Sequence, residues 1–396
     1  MRTLAFAFAL SMSIASSTDA FSDATFSCPV SGATIADGVS AKLFSTVAVP
    51  PGQSCAAKAR IRTCDHGVLS GDAAYQYLSC DASASTTQYF KDMGFKSGFR
   101  LSKPGRATQE IVREFRWRGE AISPVWKLSQ WNSRIGASFE WVAPIVQPDG
   151  GILLSDKSER VTIFPTPTAN QPDVRIALDG IAEWGTVGHR AHTLGWPALY
   201  LSQQHPIGGS PTSIASLASI YVSLSTRVTK EVAGPISNAD PLSQSAQMNV
   251  FLTIQNRNRK SPGFGDYIWF GIPIYEYRSM FAPEFRAGDI GTGKYIHKVP
   301  QYYFTNQSVK ESKRTTNWVT YARVDVLPEI KASLEQAHEK GFLRSSPNIQ
   351  DFSIGSINIG WEVTGPYDVE IELKDLKVEP VSAHNPSVTP PATLGR

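Results

Sequence analysis

The sequence has few cysteines, little net charge and, beyond its first residues, no long apolar run. Its four cysteines, Cys28, Cys55, Cys64 and Cys80, lie near the N-terminus and no two form a CxxC pair. Structural zinc sites usually build on such pairs, so disulfides are the expected state and no metal ligand set is read here. Formal charge is +3, from 38 basic and 35 acidic residues interspersed along the chain, which lacks the electrostatic footprint of a nucleic-acid binder. HExxH and GxSxG are absent, and Gly291-Thr-Gly-Lys294 lacks both the full frame of a phosphate loop and a following helix, so a tight turn is expected there. No Asp-rich loop marks a calcium site, and no cofactor is expected. His189 and His192 stand three apart between glycine-containing, Trp-flanked segments that argue against a helix, so they are not read as metal ligands.

What is present begins with an export signal. Arg2 supplies a positive start, Leu4 to Ile14 an apolar stretch, and Thr18-Asp19-Ala20 a small-residue exit, which predicts a signal peptide over 1–20 and a mature chain starting near Phe21. The apolar stretch is far shorter than the roughly 20 residues a bilayer demands, so no membrane span is expected. Secretion, periplasmic or extracellular, puts the cysteines where disulfides persist. Residues 21–83 are short of bulky apolar side chains and rich in Gly, Ser and Ala, which predicts a small β module that cross-links must hold together. The run Ser83-Ala-Ser-Thr-Thr87 reads as a linker, 88–378 as one large domain, and 380–396, with Pro, Ser and Thr but no apolar period, as a disordered tail.

In the large domain, segments of alternating character are bounded by Gly, Pro, Asn and Asp, the pattern of strands and turns. Strands are expected at 138–145, 160–164, 198–203, 219–227, 247–255, 267–274, 316–326, 353–363 and 367–376, and one helix at 328–340, with Pro328 in its first turn and Gly341 beyond its end. Long strands with few helices predict a mainly β fold, an antiparallel β-sandwich.

Side chains alternate across a strand, so each strand sorts into two faces. Met248, Val250, Leu252 and Ile254 form one face of 247–255, against Gln247, Asn249, Phe251, Thr253 and Gln255. Ile357, Ile359, Trp361 and Val363 oppose Asn358, Gly360 and Glu362; in 198–204, Tyr200, Ser202 and Gln204 share the polar side. A face of amides, carboxylates and flat rings suits a sugar, whose C–H face covers a ring and whose hydroxyls need hydrogen-bond partners.

The wording Cys28-Pro-Val-Ser-Gly, Arg62-Thr-Cys64-Asp-His-Gly67-Val-Leu-Ser-Gly71 and Cys80 resembles a four-cysteine module of bacterial exported surface proteins. Analogy with other four-cysteine β modules implies the pairs Cys28–Cys64 and Cys55–Cys80. The large domain resembles the concanavalin-like jelly-roll sandwiches of lectins and glucanases in its overall pattern and in Asp266-Tyr-Ile-Trp-Phe-Gly271 and Gly360-Trp-Glu362. The paired-acid motif of the laminarinase-type members is absent. This resemblance implies a secreted glycoside hydrolase acting on an extracellular polysaccharide through two carboxylates, in an open cleft on one sheet.

Acids beside aromatic residues are the catalytic pool, because an apolar neighbour raises a carboxyl toward the range of an acid catalyst. Glu362, Glu276 and Asp266 are the catalytic candidates; Trp269, Tyr267, Asn358, Tyr200, Gln204 and Arg278 are the substrate-binding ones. Glu140 and Glu183, each before a tryptophan, belong to the same pool, with an ordinary surface role as the rival reading. Two alternatives stand beside hydrolysis: a non-catalytic carbohydrate-binding or adhesive protein, and a polysaccharide lyase using Tyr277, Arg278 or His189.

Overall fold

The computed structural model describes residues 26–30, 33–46, 55–78, 80, 89–104, 110–116, 123–185, 195–205, 212–235, 244–289, 291–303 and 317–382. The expected signal peptide over 1–20 and linker over 83–87, His189, His192 and residues 383–396 lie outside them. The chain divides into two compact units, 1–47 with 56–80, and 48–55 with 81–396.

In the first unit, β1 (Ser27–Val30) pairs with β2 (Ala33–Ala36), while β3 (Ser40–Phe44), β4 (Ala59–Asp65) and β5 (Val68–Leu69) form a three-stranded sheet. Among the described residues its buried apolar core is Cys28, Val30, Ile35, Leu43 and Cys64, a small cluster of the kind that a cross-link supports. The Cys28–Cys64 disulfide runs through that core, Cys55 and Cys80 are disulfide-bonded as well, and no cysteine is free. Arg62, from the Arg-Thr-Cys wording, turns inward and donates to the carbonyls of Ser70 at 2.5 Å, Tyr75 at 2.7 Å and Leu69 at 3.0 Å. One guanidinium thus holds the end of β5 and the irregular segment 70–75 that follows it.

The second unit is mainly β. A seven-stranded sheet runs β19 (Val319–Asp325), β14 (Leu217–Ala233), β21 (Tyr367–Ser382), β12 (Val174–Asp179), β11 (Glu159–Ile163), β10 (Ile152–Asp156), β9 (Ile145–Val146). A nine-stranded sheet runs β17 (Phe285–Gly288), β18 (Tyr295–Lys298), β16 (Tyr267–Glu276), β15 (Ala246–Asn256), β20 (Phe352–Val363), β13 (Ala198–Gln204), β8 (Trp126–Trp131), β6 (Phe99–Ser102), β7 (Ile111–Phe115). Pairing is antiparallel except for β16 with β18 and β6 with β8. A single apolar core carries side chains from both sheets, including Ile176, Val222 and Ile371 from one and Leu199, Val250, Ile359 and Trp361 from the other. The indole of Trp361 donates to Ile176 O at 3.0 Å and the hydroxyl of Tyr321 to Ile274 O at 2.7 Å, so ring polar tips tie one sheet to the other. The antiparallel sandwich read from the sequence is therefore the fold.

The strand expected at 138–145 does not form; only Ile145–Val146 pairs. Its backbone donors go to side chains instead, Ser138 N to Asp156 and Phe139 N to Gln130, which removes them from any ladder. The last strand runs on to Ser382 through Pro380, past the expected strand end at Leu376 and the expected domain end at Val378, because β14 pairs with it there. The strands β6, β7, β8, β10, β12, β17 and β18 had no counterpart in the sequence reading. A short helix, α1 (Gly180–Trp184), is capped by Asp179; the expected helix is α2 (Leu327–Glu339), burying Ile330, Leu334 and Ala337 against β14 and β16. It also holds β18, through His297 Nδ1 and Ser333 Oγ at 2.5 Å and Tyr295 and Gln336 at 3.1 Å.

Facing the core between the sheets is a buried carboxyl, Glu159, fully inaccessible and bonded to the amide of Gln130. Burial, reinforced by Glu183 and Asp156, pushes its pKa up to about 8. Below its unfolded pKa the group is protonated in both states. As pH rises the unfolded chain ionises first, so this group's contribution to stability falls through the window up to about pH 8. Glu159→Gln is expected to remove that fall, stabilising the protein at pH 8 and leaving it unchanged near pH 4; denaturant midpoints at the two pH values measure it.

Candidate functional site

Cross-strand registers on the nine-stranded sheet assemble a face opposite the core. One row reads Trp131, Ala198, Glu362, Gln247, Glu276 across β8, β13, β20, β15 and β16. The next reads Ser129, Tyr200, Gly360, Asn249, Pro273, and a third Lys127, Ser202, Asn358, Phe251, Gly271, Lys298. The polar faces assigned strand by strand from alternation thus lie side by side.

Rings cover this face. Trp131 stacks on Tyr200, with centroids 5.1 Å apart and planes 7° apart, while Trp269 meets Phe251 and Tyr267 edge to face. Two glycines make room. A Cβ on Gly360 would stand 2.8 Å from the Tyr200 ring and 2.1 Å from Leu199 O, and one on Gly271 would stand 2.6 Å from the Phe251 ring. Each ring closes over the neighbouring strand's glycine as a result. Tyr200, Phe251 and Asn249 are consequently buried although they face away from the core, unlike a solvated sheet face.

Between the ring clusters lies a chain of hydrogen bonds. Lys298 Nζ donates to Gln247 Oε1 at 2.9 Å, and Gln247 Nε2 donates to Glu362 Oε2 at 3.2 Å. The cation fixes which end of the amide faces it, so the NH2 must face Glu362. Tyr200 also donates to Glu362; burial, then the carboxylate itself, raises the phenol well above its ordinary value. Burial lowers the Lys298 ammonium, with Glu362 and Glu276 opposing that shift. Asn249 Nδ2 and Trp131 Nε1 are buried donors without a hydrogen-bond partner among the described residues.

Glu276 shares Glu362's row two strands away, but it is tied down. Burial works to raise its pKa, and the bonds from Arg278 and Ser245 outweigh it, leaving the carboxylate below its usual range. Arg278 Nε lies 2.8 Å from Oε1 and Nη2 2.9 Å from Oε2, so both oxygens face one guanidinium. Asp266 stands just before β16, 3.3 Å from Lys294 Nζ and accepting from Ser346 at 3.0 Å. Glu183 is buried and accepts from Ser133, Ser158 and the Arg134 amide.

The structure therefore brings Glu362, Tyr200, Asn358, Trp269 and Tyr267 onto one face, with Arg278 engaged at Glu276 and Gln204 at the exposed end of β13. The sequence reading did not single out Trp131 and Lys298. Trp131 ends the alternation Trp126-Lys-Leu-Ser-Gln-Trp131, which was readable; Lys298 sits on a four-residue strand, too short for a period to show.

No protein-family model matches the chain, and no curated protein matches it. Among solved structures it is similar to the endoglucanase cel12A from Rhodothermus marinus, with a TM-score of 0.30 and 10% identity over 62% of this chain and 98% of that one. It is similar also to the family 12 xyloglucanase from Bacillus licheniformis, at 0.28 and 12% over 60% and 100%. The family 11 xylanase from Neocallimastix patriciarum gives 0.27 and 11% over 60% and 94%.

Proposed function

We propose that this is an exported protein whose nine-stranded sheet binds a polysaccharide chain on its outer face. The supporting observation is the row that sets Glu362 and Gln247 beside Tyr200 and Trp131 on one side and within one strand of Phe251 and Trp269 on the other. Rings cover the C–H faces of successive pyranoses, while the carboxylate and amides take their hydroxyls. Asn249 and Trp131 offer donors that no described protein group accepts from, and such donors favour a ligand oxygen. Disulfides suit the oxidising compartment that export implies.

Hydrolysis is the second reading, favoured by Glu362 and Glu276 falling in one row with Gln247 between them. Two strand spacings separate their backbones by roughly 9–10 Å, near the upper end of the roughly 6.5–9.5 Å between the carboxyls of inverting enzymes. In that reading Glu276, held ionised by Arg278, is the base and Glu362 the acid. Titrating the mature protein calorimetrically with a panel of soluble β-glucans, xylans and mannans, and assaying each mixture for new reducing ends, tests both. Heat of binding without new ends supports a binding protein, new ends support the hydrolase, and neither on any polymer overturns the proposal.

A further inference from the structure

β18 is only four residues long, yet its register is fixed on both faces. Tyr295 and His297 turn inward, to Gln336 at 3.1 Å and Ser333 at 2.5 Å on α2, and the Val299 amide beyond the strand donates to Gly271 O at 3.0 Å. Alternation then sends Lys298 to the outer face, opposite Gly271 on one side and Phe285 on the other. A Cβ on Gly271 would stand 2.7 Å from Lys298 Cγ, so the absent side chain is what lets the lysine stem lie across β16. The ammonium ends 5.0 Å from the centre of the Phe285 ring and 2.9 Å from Gln247 Oε1. That hydrogen bond goes to a neutral amide, and the carboxylate of Glu362 is one link further on.

We infer that Lys298 is a positioning residue that acts through Gln247 to aim Glu362 and hold its charge. A lysine only donates, so it takes the Oε1 end of the amide and leaves Nε2 for Glu362 Oε2, 3.2 Å away. An ammonium on the carbonyl also polarises the amide, which makes its N–H a stronger donor to the carboxylate. Without the cation the amide is free to turn over and set its oxygen against Glu362, which disfavours the charged form. The other groups facing Glu362 are the Tyr200 hydroxyl from β13 and, in the same row, Glu276 on β16 with its Arg278; Asp289, beyond β17, acts on Tyr200. Arg278 is engaged with both oxygens of Glu276, so it is Lys298 that the chain of bonds joins to Glu362. Glu362, ahead of Glu276, opposes the lowering that burial imposes on the Lys298 ammonium, and the attraction is mutual. The inference rests on the proposed reading only for what the arrangement serves, the presentation of Glu362 to a glycan.

The test needs no glycan. Carboxyl-labelled glutamate is titrated by carbon NMR in wild type, Lys298→Met, Gln247→Met and the double variant, the Glu362 signal being the one that Glu362→Gln removes. Lys298→Met is expected to raise the Glu362 midpoint by about one pH unit, because a cation no longer favours the carboxylate, and Gln247→Met is expected to raise it as well. In the Gln247→Met background Lys298→Met adds a clearly smaller shift, since the link is already cut. Equal shifts in the two backgrounds mean that the charge acts through space and overturn the positioning role. An unchanged midpoint in either single variant overturns the inference outright. If Lys298→Met does not fold, Gln247→Met alone decides: a raised midpoint supports the relay and an unchanged one overturns it. Polymer titration separates this result from the glycan reading. Lys298→Met is expected to bind the best polymer of the panel about 3–10-fold more weakly, and wild-type affinity overturns its part in presenting Glu362. A wild type that binds no polymer overturns the glycan reading, while the NMR midpoints still decide the relay.

Discussion

Trp361→Ala is expected to lower stability by about 3–5 kcal/mol, whereas Trp269→Ala lowers glycan affinity and costs less stability than Trp361→Ala. The two tryptophans sit on neighbouring regions of one sheet but in opposite registers. Trp361 is fully buried, packs edge to face on Tyr275 and donates to Ile176 of the other sheet. Truncation removes the ring, opens a cavity where both sheets meet, and leaves a buried carbonyl with one partner fewer. Trp269 is half-buried on the other face, edge to face with Phe251 and Tyr267, and its indole N–H donates to Thr292 in the turn before β18, at 3.2 Å. Calorimetric melting and polysaccharide titration on both variants separate the roles. Equal destabilisation of the two, with binding intact, contradicts the assignment of faces.

That division was legible because β15 and β20 are long and alternate cleanly, so Met248, Val250, Ile357, Ile359 and Trp361 declare one face without knowledge of their partners. The helix was equally local, marked by Pro328 and Gly341 at its two ends. What stayed hidden depends on pairing between distant segments. Lys298 reaches Gln247 only because β18 joins β16 in parallel, with its alternation too short to stand out. The segment 138–145 has strand-like composition, yet side chains of Gln130 and Asp156 take its amides, a competition that composition does not encode. Glu276 illustrates the limit differently: its neighbour Arg278 was visible, but not that both its oxygens are occupied by it.

Glu362→Gln is the substitution expected to change function most. In the hydrolytic reading it lowers turnover at least about 100-fold, while binding to the same polymer stays within about tenfold, because a neutral amide keeps the shape and most of the hydrogen bonds. The geometry makes the variant informative beyond catalysis. Glu362 accepts both the Gln247 amide and the Tyr200 hydroxyl, whereas a glutamine must take both donors on one oxygen or turn its NH2 toward one of them. Lys298, whose ammonium burial already lowers, loses one of the carboxylates that oppose that shift. If the amide leaves one of those two donors unsatisfied, stability falls by about 1–3 kcal/mol, more than the roughly 0.5 kcal/mol of a solvated surface change. Turnover, affinity and denaturant midpoint measured on one preparation resolve the outcomes. A variant that is destabilised yet turns over normally leaves Glu362 as the keystone of a binding face, and a wild type that releases no new ends on any polymer gives the face to recognition alone.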